Sequence, residues 1–287
     1  MWLILALGSA VFAALVSVLG KKGLNEVSSN IATAIRSTVA LALAWLVVLV
    51  AGSAGQLGQL DFGDILFILL SGAATGGSWL CFFQALKLGK VSNVIAIDRT
   101  SLLFTGLAAI VFFGETQNLP TKILGLAVVA LATIALVWVP KNSKLEKANW
   151  AWLPWALASM AFAVATTLLA KVGLTNVDSS LATALRTFVV VVFAVLIVWF
   201  RGEAPAMRKI SRKHLGYLLA SGLATGASWL CFFGAIKLGQ VSVVAPIDKL
   251  SIVIAAVLAA WMLGEKLTKR DALALAAMVL GTAVLLY

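Results

Sequence analysis

Charge is scarce in this chain. Only 11% of its 287 residues are Asp, Glu, Lys or Arg, too few to cover the surface of a soluble domain of this length. There is one histidine, His214, and there are two cysteines, Cys81 and Cys231. So few ligating groups leave no disulfide framework and no zinc-site spacing, and neither a metal nor another cofactor is expected. HExxH is absent, which removes one class of membrane protease, and GxxxxGK[ST] is absent, so no ATP-binding loop is in view. Acid is scarcer than base: 22 Lys plus Arg stand against 11 Asp plus Glu, a net charge of +11. In a soluble chain that excess would point to nucleic acid. Here the bases sit in short loops between apolar runs, where they read as orientation signals, and nucleic acid is not expected as a partner. Strongly alternating stretches are also lacking, which argues against a membrane β-barrel.

What the chain has in quantity is long apolar sequence. Runs at 2–20, 31–52, 63–86, 91–113, 120–139, 150–170, 180–200, 214–236, 241–263 and 268–287 are each long enough to cross a lipid bilayer as a helix. The first run has no basic stretch before it and matches an internal run later in the chain, so it reads as a permanent span and not a signal peptide.

The chain also repeats itself. SGAATGGSWLCFFQALKLGKVSNVIAIDRTS at 71–101 and SGLATGASWLCFFGAIKLGQVSVVAPIDKLS at 221–251 agree at about 21 of 31 positions, at an offset of about 150 that holds outward along the chain. LNEVSSNIATAIRSTV at 24–39 matches LTNVDSSLATALRTFV at 174–189. The reading is an all-α integral membrane protein of ten transmembrane helices, two five-helix repeats of inverted topology around a central cavity. Residues 1–140 form the first repeat, 141–149 a basic cytoplasmic linker and 150–287 the second. A duplicated membrane unit of this kind marks secondary transporters, whose site lies between the repeats, so one chain suffices in principle.

An odd number of spans per repeat inverts the second copy. The bases agree: about 15 fall on one face, among them Lys21, Lys22, Lys141, Arg201, Arg212 and Lys269, against Lys122, Lys171 and Lys237 on the other. The positive-inside rule makes the crowded face cytoplasmic and puts both termini on the non-cytoplasmic side of the inner membrane.

Ionisable groups within spans are costly and usually functional. Each repeat has three: Arg36, Asp98 and Arg99, then Arg186, Asp248 and Lys249. Arg36 and Asp98 lie roughly 9–10 Å along spans entered from one face, so an Arg36–Asp98 ion pair is geometrically possible, and the repeat then predicts an Arg186–Asp248 pair near the opposite face. Three readings stand side by side: symmetric gates of an alternating-access carrier, pairs that only fix helix packing, or long side chains that snorkel to the interface. Two cations and one anion per half would suit an anionic substrate group, and the two aspartates are also candidate proton carriers.

Gly72, Thr75, Gly76 and Trp79 share one helix face, as do Gly222, Thr225, Gly226 and Trp229. Such small residues allow close helix packing. Alternatively the faces line the cavity, with Trp79 and Trp229 as flat walls and Thr75, Ser78, Thr225 and Ser228 as hydrogen-bonding groups. Pro246, whose repeat partner is Ala96, predicts a kink two residues before Asp248.

Spans four and nine each close with Gly-Glu (Gly114-Glu115, Gly264-Glu265), and 245–251 read Ala-Pro-Ile-Asp-Lys-Leu-Ser. With the double repeat, these residues resemble the EamA-type carriers of the drug/metabolite transporter superfamily over essentially the whole chain, and 245–251 resemble small single-repeat members, as though two such units had fused. The resemblance implies a helical basket, a cavity built mainly by spans three, four, eight and nine, and transport of small metabolites, often by export, proton coupling or exchange. Ten-span members are commonly drawn with cytoplasmic termini, and the charges here argue the opposite. The leading expectation is a secondary carrier, exporter or exchanger, of a small polar metabolite such as an amino acid or organic acid. The alternative is a flippase for a lipid-linked polyprenyl phosphate. An enzyme is not expected, since no nucleophile–base pair or ligand set stands within the spans.

Overall fold

The structure of the chain, a computed structural model, describes residues 1–23, 27–88, 91–137, 150–263 and 268–286. Regular secondary structure among these residues is entirely helical: α1 (Trp2–Gly23), α2 (Ser29–Val50), α3 (Phe62–Leu88), α4 (Val91–Phe113), α5 (Leu119–Val137), α6 (Leu153–Gly173), α7 (Ser179–Phe200), α8 (Arg212–Leu238), α9 (Val241–Asp248), α10 (Leu250–Leu263) and α11 (Lys269–Val284), with short 3₁₀ turns between some of them. Eight segments of the described chain are long and apolar enough to cross a membrane. Residues 141–149, Lys90, Gly264, Glu265, Lys266 and Tyr287, all used in reading the sequence, lie outside the described residues.

Helix ends follow their caps. Ser28 accepts the Ile31 amide at the start of α2, and Ser211 accepts the His214 amide at the start of α8. Thr268 and Asp271 cap α11 reciprocally. Asp178 caps α7 through the Ser180 and Leu181 amides. Burial alone would raise that carboxyl, but hydrogen bonds from the Ser180 hydroxyl and these amides outweigh it and hold it below the usual carboxylate range. Opposite Ala96, α4 runs unbroken, whereas α9 contains Pro246 and ends at Asp248, with α10 resuming at Leu250. A proline removes one amide from the helical ladder and crowds the preceding turn, and the interruption here falls three residues after it, at Lys249.

The chain divides into two compact units. One comprises Met1–Ala73, Leu169–Gly239 and Ile247–Glu265; the other comprises Ala74–Leu168, Gln240–Pro246 and Lys266–Tyr287. In the first unit α1 packs along α8. Gly234 faces Leu5, Cys231 faces Gly8, Ser228 bonds Ser9, Ser221 bonds Val16 and Gly23 meets Leu218, so the pair is antiparallel. Helices α2 and α7, which are repeat equivalents, are also antiparallel. Ser28 and Asn30 at the start of α2 donate to Glu203 just beyond α7, while Ser53 beyond α2 lies 3.1 Å from Ser180 at the start of α7.

Gly72 and Gly222, two of the glycines expected to permit close packing, do so here. A Cβ on Gly222 would lie 2.6 Å from Val39 Cβ and 3.1 Å from the Arg36 carbonyl, and one on Gly72 would lie 2.7 Å from the Arg186 carbonyl. Backbones approach this closely only where no side chain intervenes. The two contacts are the same contact read with the repeats exchanged: 72 with 186, and 222 with 36.

In the second unit α5 packs on α11 and α4. Ala85, Val94 and Ala156 form a small buried cluster there, flanked by Phe82, Leu86, Ile97 and Trp152.

Candidate functional site

A polar cluster lies within the first unit. Ser9 is fully buried on α1, and its hydroxyl donates to Asp248 Oδ1 at 2.6 Å. Ser228 on α8 donates to the Ser9 carbonyl at 3.2 Å, with the two hydroxyls 3.3 Å apart. Lys249 Nζ stands 3.6 Å from Asp248 Oδ2. Within the second unit the repeat equivalents of the two serines and the aspartate meet in a similar way. Ser78 donates to the Ser159 carbonyl at 3.1 Å with the hydroxyls 3.3 Å apart, and the Ser159 hydroxyl reaches Asp98 Oδ1 at 3.4 Å. Each cluster takes its first serine from one repeat and its second serine and aspartate from the other. A carboxylate held by hydroxyls in an apolar helical setting is a costly group whose retention needs a reason.

The arginines are treated differently. Arg186 on α7 is 4% exposed. Its guanidinium sits 4.0 Å from the centre of the Phe233 ring and 5.7 Å from that of Trp229, and its Nε is 3.4 Å from the Ser71 hydroxyl. Aromatic faces attract a cation in this arrangement. Asp248, the expected partner of Arg186, is held by Ser9 and Lys249. Arg36 is half-buried, and its Nε is buried without a hydrogen-bond partner among the described residues. Asp98 and Arg99 are half-buried in the second unit.

Of the expected cavity residues, Ser78, Thr225 and Ser228 are buried, while Thr75, Trp79 and Trp229 are half-buried. Thr75 lies 3.3 Å from the Thr166 hydroxyl, and Thr225 returns a bond to the Ser221 carbonyl at 2.8 Å. The cluster serines Ser78 and Ser228 were visible in the sequence, but Ser9 and Ser159 were missed. Each is an isolated serine in an apolar helix, and only their 150-residue spacing marked them.

Glu115 lies in the loop after α4, yet it is 7% exposed, and its two oxygens accept the Val241 and Ser242 amides at 2.8 Å each. It therefore caps α9, the helix that ends at Asp248. Gly114, at φ 64°, makes the left-handed turn that delivers it. Lys122, 4% exposed, donates to the Glu115 carbonyl at 2.8 Å and to Gln240 Oε1 at 2.6 Å.

The three lysines that depart from the charge bias all serve backbone carbonyls. Besides Lys122, Lys171 binds the Ile236 and Gly239 carbonyls at 2.6 and 2.8 Å, and Lys237 binds the Val177 carbonyl at 2.5 Å. Among the described residues no group of three His, Cys, Asp or Glu side chains is placed to hold a metal ion.

Helices of membrane-spanning length and polar clusters repeated in both halves are the marks of a duplicated multi-span membrane protein. Residues 1–139 and 150–287 each match the EamA-like transporter family, and the chain belongs to that family. A relative named "Uncharacterized transporter in cobO 3'region", from Sinorhizobium sp, is 43% identical over 134 residues, which covers 95% of the relative and 47% of this chain. That relative thus has about the length of one repeat. A solved structure named "Crystal structure of protein" aligns with a TM-score of 0.79 at 16% identity, covering 99% of this chain and 95% of its own, and at that identity the likeness concerns the fold.

Proposed function

We propose that this EamA-family chain is a secondary active transporter, an exporter or exchanger, that moves a small polar metabolite such as an amino acid or organic acid across the cytoplasmic membrane by alternating access. One observation carries the reading: the Ser9–Ser228–Asp248 cluster recurs as Ser159–Ser78–Asp98 with the roles of the repeats exchanged. Alternating access needs two equivalent half-sites of opposite sense, and inverted repeats supply them. The antiparallel course of the equivalent helices α2 and α7 supports inversion, and ten spans follow if α4 and α11 also cross the bilayer. Thr75, Ser78, Trp79, Thr225, Ser228 and Trp229 line the substrate path in this account. Arg36, Asp98, Arg99, Arg186, Asp248 and Lys249 gate it, with an Arg36–Asp98 pair as one closed arrangement. The break after Pro246 gives α9 a freedom that α4 lacks, and either aspartate is a candidate proton site. Without an ATP-binding loop, a gradient or exchange supplies the energy.

The basic face, including the 141–149 linker, is cytoplasmic on this account. A reporter fused to the C-terminal Tyr287 is expected to read as external; a cytoplasmic signal would reverse the orientation. A thermal-shift panel on the purified protein tests the function itself, using amino acids, organic acids, sugar phosphates, cationic drugs and polyprenyl phosphates. Stabilisation by a small polar metabolite is the expected result. Stabilisation by polyprenyl phosphates alone would favour a flippase. That second reading draws support from an apolar groove of about 390 Å³ beside α2, α7 and α8, bordered by Ile35, Thr38, Val195, Trp199, Met207 and Leu219, which suits an acyl chain.

A further inference from the structure

The two repeat-equivalent arginines lie in the first unit in different states. Arg186 is enclosed. Phe233 and Trp229 present their rings to it, Ser71 accepts its Nε, and the void beside it is about 10 Å³, room for a single water. Arg36 is half-buried, with a buried Nε that has no partner among the described residues. Its Nη1 lies 3.3 Å from the point where a Cβ on Gly20 would stand, and the Ser221 hydroxyl lies 3.6 Å from that point. The settings correspond residue by residue: Ser221 is the repeat equivalent of Ser71, and Gly20 of Ala170, which borders the void at Arg186. One guanidinium is sealed against aromatic rings, and the other has an Nε with no partner among the described residues. Asp248, a carboxylate of the same unit, is already held by Ser9 and Lys249.

An under-used guanidinium in a low-dielectric setting is costly, and the ligand that best relieves it is a planar or tetrahedral oxyanion, which its fork meets with two parallel bonds. We propose that Arg36 and Arg186 are alternate anchors for an anionic group, a carboxylate or phosphate, on the transported substrate. Arg36 is the less enclosed of the two in the present state, and the two exchange roles when the repeats exchange conformation. This inference rests on the carrier reading above and adds the charge of the substrate to it.

The test uses the full-length protein in detergent, with succinate, glutamate, inorganic phosphate and a polyprenyl phosphate as probes. Dimethyl succinate and a cationic drug serve as controls. At least one oxyanion is expected to bind, its uncharged counterpart to bind far less, and Arg36→Gln to weaken binding by about tenfold or more, the usual loss of a charge-assisted contact. Arg36→Lys keeps the charge without the fork, so it is expected to fold and to recover part of the affinity. Binding by a soluble acid or by the polyprenyl phosphate supports the anchor equally, and which of them binds separates carrier from flippase.

Equal affinity in wild type and Arg36→Gln overturns the anchor, as does the failure of every oxyanion to bind. A preference for a neutral or cationic solute overturns it too and leaves the carrier reading standing. Exchange of roles has its own readout. In a Cys81→Ser, Cys231→Ser background, Arg36→Cys and Arg186→Cys are expected to react with a small thiosulfonate at rates that a bound oxyanion moves in opposite directions. Rates that move together overturn the alternation.

Discussion

Asparagine in place of Asp248 is expected to lower solute flux by about tenfold to a hundredfold while the protein remains folded. The carboxylate accepts Ser9 at 2.6 Å and faces Lys249 at 3.6 Å, so its charge organises both. The amide keeps an acceptor for Ser9 but no longer balances the lysine, and a charge-assisted hydrogen bond is worth about 1.5–3 kcal/mol. Stability changes little, because the packing serine contact between Ser228 and the Ser9 carbonyl is untouched. Asp98→Asn should act in the same direction, since Asp98 holds the equivalent place beside Ser159. The double variant tells whether one transport cycle uses both sites: losses that fail to add indicate sites acting in series. Flux in reconstituted vesicles and melting temperature in detergent are the two readouts. A Asp248→Asn protein that melts normally and transports at the wild-type rate would remove this cluster from the pathway.

Alanine in place of Glu115 is expected to have the largest effect on stability. Two helix-terminal amides, those of Val241 and Ser242, lose their acceptors together, and the buried Lys122 loses a neighbouring negative charge. Removing one member of a buried charged arrangement costs about 3–5 kcal/mol, because what remains is desolvated and uncompensated. Glu115→Gln retains one carbonyl oxygen and should lose roughly half as much. The variant should also be felt at a distance, since the helix it releases ends at Asp248. A fall in melting temperature with glutamine intermediate between alanine and wild type would support the cap. Equal melting of all three proteins would show that α9 is held by other contacts.

The repeat and eight of the ten expected spans were legible in the sequence because each rests on many residues at once: apolar runs of bilayer length, and identities at one fixed offset. The candidate site was legible only in part. Asp98 and Asp248 stand out as acids within spans, and Ser78 and Ser228 lie in the best-matched segment. Their partners Ser9 and Ser159 do not stand out, because a lone serine is compatible with any apolar helix. The role of Glu115 depends on amides 126 and 127 positions away, and no local pattern announces a contact at that separation. The same holds for Lys122, Lys171 and Lys237. Counted as charges they weaken the orientation bias; seen in place, they complete backbone hydrogen bonding at helix ends. Arg186 shows the opposite limit. Charge counting pairs it with an acid, whereas the fold meets it with Phe233 and Trp229, since aromatic faces also stabilise a desolvated cation.

Solute counterflow in vesicles that contain the purified chain alone tests the central claim most directly. Vesicles are preloaded with the compound that stabilises the protein best, and tracer uptake of the same compound is followed without ATP or an imposed gradient. The account predicts a transient, saturable accumulation of tracer above equilibrium that Asp248→Asn suppresses. Tracer entry that rises linearly with concentration, or that matches protein-free vesicles, would contradict it.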